Sequence, residues 1–513
     1  MQNNSAKPTI HSGKITRLQL MLNMLIAGVY FSWWFLPGHV GNPYLYNLLL
    51  FGEIYHILLS FMFWFTIWPT DNTHPVAPYS PHFVPSVDIF ITVTGEPVSV
   101  VEKTIIAAKR INYPNFKIHV LNDGWVAKKD NWNDIELLAA REGVNCITRK
   151  IPGGAKAGNI NNALKLTSGE IIVVFDADME AIPTFLQKVI PYFRREEVGF
   201  VQSPQYYKNY AKNTITAGAW EQQEFFFGPI MRGKEKSNSS FICGTNFAIR
   251  REALDQVGGM NEKNIAEDFL TSLAIHQKKW VSYYVPEVLA VGLAPEDLYS
   301  YNNQQNRWAR GTLEVLFGHN PIFKRGLSFG QRIEYLSSAL FYFNGLIVLI
   351  DMLMPVIYLA SGIMPVAATT TSFAIFFIPF MAANLFTLYK IGDSALTFRA
   401  ISFTQSSWYL QLQALFSVIL RRKTAFAVTS KSGLKGDFRF LVYPHLFYIG
   451  SAFAAMFVAV FREGFSPAVI TNISWVLFNC IMFLPFIFSA FKVPSESEEK
   501  TAHLIKAGLS FNP

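Results

Sequence analysis

Two aspartates separated by one residue follow a run of branched and aromatic side chains. Asp176 and Asp178 come directly after the segment 171–175, which has the composition of a buried strand. Such a strand delivers two carboxylates to its end, and carboxylate oxygens bind Mg²⁺ or Mn²⁺ ions whose other ligands include substrate phosphates. Aspartate is also common in turns that end strands. The pair alone is therefore compatible with a metal site or with an ordinary turn.

Two further polar residues stand at the ends of neighbouring predicted elements. Asp123 follows a second strand and precedes a glycine, where its carboxylate could accept hydrogen bonds from a ribose or uracil; Asn-Asp-Gly is also a common turn. Lys156 lies near a predicted helix start, where a cation and free backbone amides would stabilise phosphate oxygens. An ordinary helix entry is the alternative. Both residues are candidates for binding a nucleotide.

Two later groups could supply proton transfer and sugar recognition. Glu267 and Asp268 begin a helical stretch, where acids usually favour the helix dipole but could also accept a proton from an attacking hydroxyl. Gln304, Arg307 and Trp308 lie within about one helical turn. They combine an amide, a guanidinium suited to a diphosphate and an indole that can stack on a sugar ring. The alternative is an Arg-Trp pair on a helix face near a membrane.

Strands and helices alternate across residues 84–318 and must position these side chains. The alternation predicts a mostly parallel α/β sheet, in which ligands bind beyond the carboxyl ends of the strands. The acidic residues follow those ends. Strands are predicted at 87–93, 116–121, 171–175 and 198–202, with helices between them at 98–111 and 134–142.

Both ends of the chain are much more apolar than its middle. Of all residues 51% are hydrophobic, and six apolar stretches are long enough to cross a hydrocarbon core of ~30 Å. The sequence therefore predicts an integral membrane protein in which an α/β domain is inserted between about six transmembrane helices. The stretches are 18–36, 47–68, 338–360, 367–389, 440–460 and 469–491.

The positions of basic residues predict the orientation in the membrane. Lys7, Lys14 and Arg17 precede the first apolar stretch, and the loop between the fourth and fifth stretches is also basic. The positive-inside rule then places both termini and the α/β domain in the cytosol. Attraction to anionic lipid explains the net charge of +8, so no nucleic-acid partner is expected.

The order of these motifs resembles the family 2 processive glycosyltransferases, and among them the catalytic subunits of bacterial cellulose synthases. Residues 201–205, 241–245 and 292–296 look like that family's VQTPQ, FFCGS and GLxPE runs. The segment FAVTSK at 426–431 looks like its FxVTxK gating loop. Together with the acidic motifs and the QxxRW pattern of Gln304, Arg307 and Trp308, these matches extend over nearly the whole chain.

The resemblance implies a GT-A-like α/β fold and a role for each candidate residue. The implied nucleotide-sugar ligands are Asp123, Lys156, Asp176, Asp178, Gln304 and Arg307, with Asp176 and Asp178 also holding Mg²⁺ or Mn²⁺. Asp268 would be the catalytic base with Glu267 beside it, and the acceptor would contact Trp308, Cys243 and Gly244. The gating loop over the bound UDP-sugar would comprise Phe426, Val428, Thr429 and Lys431.

Three positions depart from the pattern of cellulose synthases. Val93 replaces a hydroxyl side chain expected to face the base, Asn122 replaces the first of two aspartates, and Met179 replaces a histidine. A cyclic di-guanylate-binding barrel is not expected after the last apolar stretch. These departures affect the nucleotide contacts and the metal geometry, and they leave the product open.

The expected function is an inverting, UDP-sugar-dependent hexosyltransferase that polymerises glucose from UDP-glucose into a β-glucan and translocates it. The β-1,4, β-1,3 and mixed linkages all remain open. Alternatives are a chitin, hyaluronan or mannan synthase, a non-processive glycolipid transferase, and a transporter or structural protein with a degenerate transferase domain. The expected location is the bacterial inner membrane. The partners are the UDP-sugar, the growing polysaccharide and the lipid bilayer, with accessory subunits and homo-oligomers left open.

Five segments make up the expected domain organisation. They are a membrane part with two helices at 1–83, the cytosolic transferase at 84–318, an interface helix with helices three and four at 319–392, an interface and gating loop at 393–438, and helices five and six with a short tail at 439–513. Candidates for a polymer conduit are Trp33, Trp34, Trp475, Glu53, His56 and Asp351, which could equally form interfacial belts and ion pairs.

Overall fold

A computed structural model describes residues 10–70, 78–393, 396–422 and 437–491. Within these residues, an α/β domain lies between an N-terminal and a C-terminal group of long helices. The helices are α1 Arg17–Trp33, α2 Pro43–Thr66, α3 Val98–Lys109, α4 Trp132–Glu142, α5 Ala155–Leu164, α6 Phe185–Val189, α7 Thr214–Phe225, α8 Met231–Lys236, α9 Arg251–Asp255, α10 Glu267–Gln277, α11 Leu298–Gly318, α12 Phe329–Phe341, α13 Asn344–Ser361, α14 Thr370–Gly392, α15 Phe398–Ser406, α16 Trp408–Ile419, α17 Tyr443–Glu463 and α18 Pro467–Phe488.

The α/β domain contains a seven-stranded sheet in the order β3-β2-β1-β4-β8-β6-β9 and a small sheet in the order β5-β10-β7. The strands are β1 Val87–Val93, β2 Phe116–Asn122, β3 Asn145–Thr148, β4 Ile171–Asp176, β5 Glu180–Ala181, β6 Val198–Gln202, β7 Tyr206–Tyr207, β8 Phe247–Arg250, β9 Val281–Tyr284 and β10 Ala290–Gly292. In the large sheet only β8 runs antiparallel to its neighbours, β4 and β6. The predicted mostly parallel sheet is confirmed.

The four strands predicted from apolar runs are confirmed. Their apolar runs are continuous because both faces of the sheet are covered. Every residue of β1 is buried, as is every residue of β4 before Asp176. A strand covered on both faces carries a continuous apolar run instead of an alternating one. This composition also made the strand ends, and the polar residues that follow them, visible in the sequence.

Within the described part of the chain, five helices are long and apolar enough to cross a membrane: Pro43–Thr66, Asn344–Ser361, Thr370–Gly392, Arg439–Glu463 and Pro467–Phe488. The first predicted stretch forms α1, whose 17 residues span only about 26 Å. Its turns continue through backbone bonds from Phe35 to Ser32 and from Leu36 to Trp33, each 3.2 Å long, so the helical segment ends where the apolar stretch ends. The chain is an integral membrane protein by these features.

The predicted start of the third span at Ser338 was wrong. Ser338 lies inside α12, which begins with a capping box between Ser328 and Gln331 and buries Tyr335 and Ala339. The chain then turns before the spanning helix α13 begins. Because α12 carries an apolar face of its own, the apolar run continues across the turn and hides the boundary.

A buried ion pair connects the α/β domain to the membrane helices. Lys234 on α8 contacts the Glu334 carboxylate on α12 at 2.9 Å and also donates to the Glu334 carbonyl at 2.6 Å. The Thr66 hydroxyl, at the end of α2, donates to the same carboxylate at 2.9 Å. Both charged side chains are almost completely buried, at 2% and 0% exposure. Three elements therefore meet at one pair of charges.

Replacing Lys234 with methionine should destabilise the protein strongly, because the buried Glu334 carboxylate would lose its partner. Breaking such a pair costs about 3–5 kcal/mol. Thermal unfolding of the purified protein in detergent measures the effect. Lys188→Met is the matched control, since its pair with Glu287 is exposed and worth about 0–1 kcal/mol. Equal melting temperatures for the two variants would contradict the structural importance of Lys234.

Candidate active site

The carboxyl ends of β1, β2 and β4 form the edge of the candidate site. Thr92 on β1 is in register with Asp176 on β4, and Val93 is in register with Asn122 on β2. The Asp123 amide donates to the Val93 carbonyl at 2.8 Å. The sheet therefore brings Asp123 and Asp176 to the same edge, as the sequence predicted.

Asp176 and Asp178, the carboxylate pair, have different environments. The Asp176 amide donates to the Thr245 hydroxyl at 2.9 Å, and its side chain is 37% exposed. Asp178 is buried, and its Oδ2 accepts from the Leu293 amide at 2.9 Å. The chain turns after β4 ends at Asp176, which leaves one carboxylate accessible and the other against the segment that follows β10.

Lys156 connects the carboxylate pair to a second loop. It lies in the first turn of α5, its ammonium contacts Asp176 Oδ1, and it donates to the Gly244 carbonyl at 2.8 Å. Gly244 has φ +80°, and a Cβ at this position would lie 3.4 Å from Asp268 Oδ2. Glycine therefore suits both the backbone conformation and the close approach of Asp268.

Glu267 and Asp268, the α10 acids, begin their helix beside this loop. The Phe269 amide donates to Asp268 Oδ1 at 2.7 Å. Burial raises the pKa of Asp268, while the nearby Lys156 and Arg307 cations act in the opposite direction. Burial also raises the pKa of Glu267, and the charge of Asp268 adds to that effect. Raised pKa values suit groups that accept protons near neutral pH.

The QxxRW residues lie on α11, which packs against α7 and α16. Gln304 is buried, whereas Arg307 and Trp308 are partly exposed. The positive charge of Arg307 lowers the pKa values of both α10 acids, against the effect of burial.

Asp123 has a partner that sequence reasoning missed. Both of its carboxylate oxygens accept from Arg149, each at 2.7 Å, and both side chains are buried. Arg149 also donates to the Ala155 carbonyl at 3.1 Å. The pair thereby fixes the chain that leads into α5 and Lys156. The sequence signal for this pair was an arginine directly after the short strand β3. The uridine-binding role of Asp123 remains a prediction.

Two glutamines that support the loop at Cys243 were also missed as individual site residues. The Cys243 amide donates to Gln202 Oε1 at 2.9 Å, and Gln205 donates to the Cys243 carbonyl at 2.5 Å. Gln202 also donates to the Thr245 carbonyl at 2.9 Å. The sequence signal for this contact was the run VQSPQ at 201–205, whose two glutamines hold the loop that contains Cys243 and Gly244.

A third carboxylate approaches the carboxylate pair. Glu96 accepts from the Thr94 amide at 2.6 Å. Burial raises its pKa, and the negative charges of Asp178 and Asp176 raise it further. The sequence showed Glu96 only as part of an unusual ending to the first strand. Its position adds negative charge at the edge of the sheet.

The carboxylate pair offers hard oxygen donors, which fit Mg²⁺ or Mn²⁺. Among the described residues, no three His, Cys, Asp or Glu side chains form a metal-binding group. An ion at this position would therefore draw part of its coordination from a substrate or from water. The predicted gating-loop residues Phe426, Val428, Thr429 and Lys431 lie outside the described residues.

The α/β domain has a GT-A-like fold, and it lies between helices that are long and apolar enough to cross a membrane. A solved mannosyltransferase from Pyrobaculum calidifontis, in complex with GDP-Man and Mn²⁺, is similar in fold, with a TM-score of 0.55 and 15% identity. The similarity covers 74% of this chain and 100% of that chain.

Family models agree with this class. The model described as glycosyltransferase-like family 2 matches residues 85–311, and the model described as cellulose synthase matches residues 250–453. The chain is thus similar to the family 2 glycosyltransferases in its α/β domain and to cellulose synthases in its second half.

Curated relatives include cellulose synthase catalytic subunits (UDP-forming) from two bacteria. The Pseudomonas fluorescens protein is 30% identical, over 92% of this chain and 66% of its own length. The Xanthomonas axonopodis pv. citri protein is 33% identical, over 65% of this chain and 47% of its own length. The chain thus spans about half to two thirds of the length of these relatives.

Asp268→Asn should abolish glycosyl transfer while UDP binding persists, because the amide keeps the shape but cannot accept the proton. Loss of a general base costs about 10²- to 10⁴-fold in rate. In the wild type, activity should fall as the pH drops through a pKa above the ordinary aspartate range, because protonation removes the base. Radiolabelled product and UDP binding provide the two measurements. Asp134→Asn, also in a first helical turn but exposed, is the control; an equally active Asp268→Asn enzyme would exclude this base.

Proposed function

We propose that the protein is a processive, inverting β-glucan synthase that polymerises glucose from UDP-glucose and passes the polymer across the membrane. The observation that carries the proposal is the connection of two sites by Lys156. It contacts Asp176 of the carboxylate pair and the Gly244 carbonyl beside Asp268. A diphosphate-binding region and a proton acceptor would thus lie in one cleft.

In the proposed reaction, a hydroxyl oxygen of the acceptor sugar attacks the anomeric carbon of α-linked UDP-glucose from the opposite side. The bond from that carbon to the phosphate oxygen breaks, UDP leaves, and Asp268 takes the hydroxyl proton. Lys156 and Arg307 are the cations available to stabilise the diphosphate. Burial and the charge of Asp268 raise the pKa of the Cys243 thiol, so this thiol does not serve as a nucleophile.

A divalent cation fits the proposal, with Asp176 and Asp178 as its ligands. When bound, Mg²⁺ or Mn²⁺ supplies positive charge to the diphosphate. The Asp178 carboxylate is held by the Leu293 amide at 2.9 Å. The accessible side chain of Asp176 lies next to Lys156, which brings a second positive charge to the same place.

Excess chelator should stop glucose transfer, and Mg²⁺ or Mn²⁺ should restore it, because the diphosphate charge would otherwise be incompletely neutralised. Initial rates in EDTA, followed by titration of each metal, measure this dependence. Glu180→Gln, which removes a partly buried acid that pairs with Lys208 and is close in sequence to the carboxylate pair, should keep the wild-type metal requirement. Full activity in excess EDTA would contradict the assignment of Asp176 and Asp178 as metal ligands.

Coupling of synthesis to translocation is supported by the position of α11. This helix carries Trp308 and packs on α16, which in turn packs on the spanning helix α13. A polymer that leaves Trp308 would therefore reach the membrane helices at once. Among the conduit candidates, His56 and Asp351 form a partly exposed ion pair at 2.9 Å between α2 and α13. Trp33 and Trp34 are instead buried in side-chain packing.

The proposed location is the bacterial inner membrane with the transferase domain in the cytosol. In sealed inside-out vesicles, UDP-glucose added outside should give polymer that accumulates in the lumen and resists glucanase until detergent is added. Vesicles with Asp268→Asn protein are the control. Linkage analysis of the product then distinguishes β-1,4, β-1,3 and mixed chains.

Three outcomes would contradict parts of this proposal. Digestion of the polymer by glucanase in vesicles that remain sealed would exclude translocation, but it would leave the proposal of polymer synthesis standing. Incorporation from another nucleotide sugar, with none from UDP-glucose, would replace the glucan by chitin, hyaluronan or mannan. A product that extracts into organic solvent would indicate a glycolipid transferase.

A further inference from the structure

A cavity of about 280 Å³ lies between α11 and the end of α16. It begins one helical turn after Arg307, and none of its lining residues belongs to the candidate catalytic set. Three guanidinium groups and one carboxylate give the lining an excess of positive charge. The lining residues are Arg310, Glu314, Ser417, Val418, Arg421 and Arg422.

Arg310 is the buried component of this cavity, with 6% of its surface exposed. Its Nε donates to Glu314 Oε1 at 2.9 Å, and its Nη2 donates to the Arg422 carbonyl. Its Nη1 is buried and has no hydrogen-bond partner within the described part of the chain. A buried donor without a partner costs free energy, so a ligand that brings a hydrogen-bond acceptor into the cavity would be stabilised.

The end of α16 supplies the other two arginines. The Arg422 amide donates to the Ser417 carbonyl at 2.9 Å, the Arg421 amide donates to the Val418 carbonyl at 3.0 Å, and Arg421 has φ +51°. This turn closes the helix and presents both guanidinium groups at the cavity. Basic residues at a helix end also favour the dipole. The dipole does not explain the buried Nη1 of Arg310.

Exposed apolar side chains adjoin the basic lining. Phe416, Ile419 and Leu420 have 51%, 54% and 58% of their surfaces exposed, and each is next to a cavity residue in the sequence. A soluble anion would need only the guanidinium groups, whereas a phospholipid would also cover this apolar surface. We propose that the cavity binds the phosphate of an anionic phospholipid, whose acyl chains lie against Phe416, Ile419 and Leu420.

The test uses the purified full-length protein in mild detergent with added phosphatidylglycerol. Native mass spectrometry counts bound lipid, and thermal unfolding reports stabilisation by the ligand. The variant Arg421→Gln/Arg422→Gln should bind the lipid about thirtyfold more weakly, because the anionic headgroup loses its attraction to two guanidinium charges. Both residues are exposed, so this variant should fold; Arg310→Gln tests the buried donor separately.

Lys278→Gln/Lys279→Gln is the matched control. These adjacent lysines also end a helix, α10, are exposed, and include a residue with positive φ, at +72°. Wild-type lipid binding in this control, with loss in the arginine variant, would support the site. Equal binding by both double variants would overturn it. Phosphatidylcholine binding as tightly as phosphatidylglycerol would overturn the requirement for an anion, and equal stabilisation by glycerol 3-phosphate would overturn the lipid source.

Discussion

The burial of carboxylates is the constraint around which the site is arranged. Five acidic side chains lie at the carboxyl edge of the sheet or at the start of α10, and burial raises the pKa of three of them; for Glu96 and Glu267 the charge of a neighbouring acid adds to this effect. The positive charges of Lys156 and Arg307 act in the opposite direction on the pKa values of Glu267 and Asp268. The proposed catalytic base can therefore carry a negative charge next to the proposed phosphate-binding region. The five acids are Glu96, Asp176, Asp178, Glu267 and Asp268.

The cations work only if their backbones are fixed, and a second set of buried contacts meets that need. Arg149 joins Asp123 to the chain that enters α5, so the first turn containing Lys156 is held against the sheet. Gln202 and Gln205 hold the loop around Cys243 in the same way. These contacts help to fix the positions of Lys156 and Gly244.

The sequence predicted the sheet more accurately than the packing around it. Continuous apolar runs identified β1 and β4, and thus the edge at which Asp176 and Asp178 lie, because burial on both faces leaves a strong compositional signal. The break between α12 and α13 was missed, since both helices are apolar at the turn. The Arg149–Asp123 pair was missed because it joins residues 26 positions apart and has no periodic pattern. Contacts of that kind require the folded chain.

The attachment of the α/β domain to the membrane helices has a consequence for the proposed translocation of the polymer. Lys234 contacts Glu334 on α12, and Glu221 on α7 accepts from Arg399 on α15 at 2.5 Å. Near the start of the described chain, His11 contacts Glu224 at 2.7 Å. These ties come from three separate segments, so tilting the domain would require breaking several polar contacts together. Translocation that keeps them intact must move the polymer along side chains of fixed helices, which favours short steps past Trp308 over rotation of the whole domain.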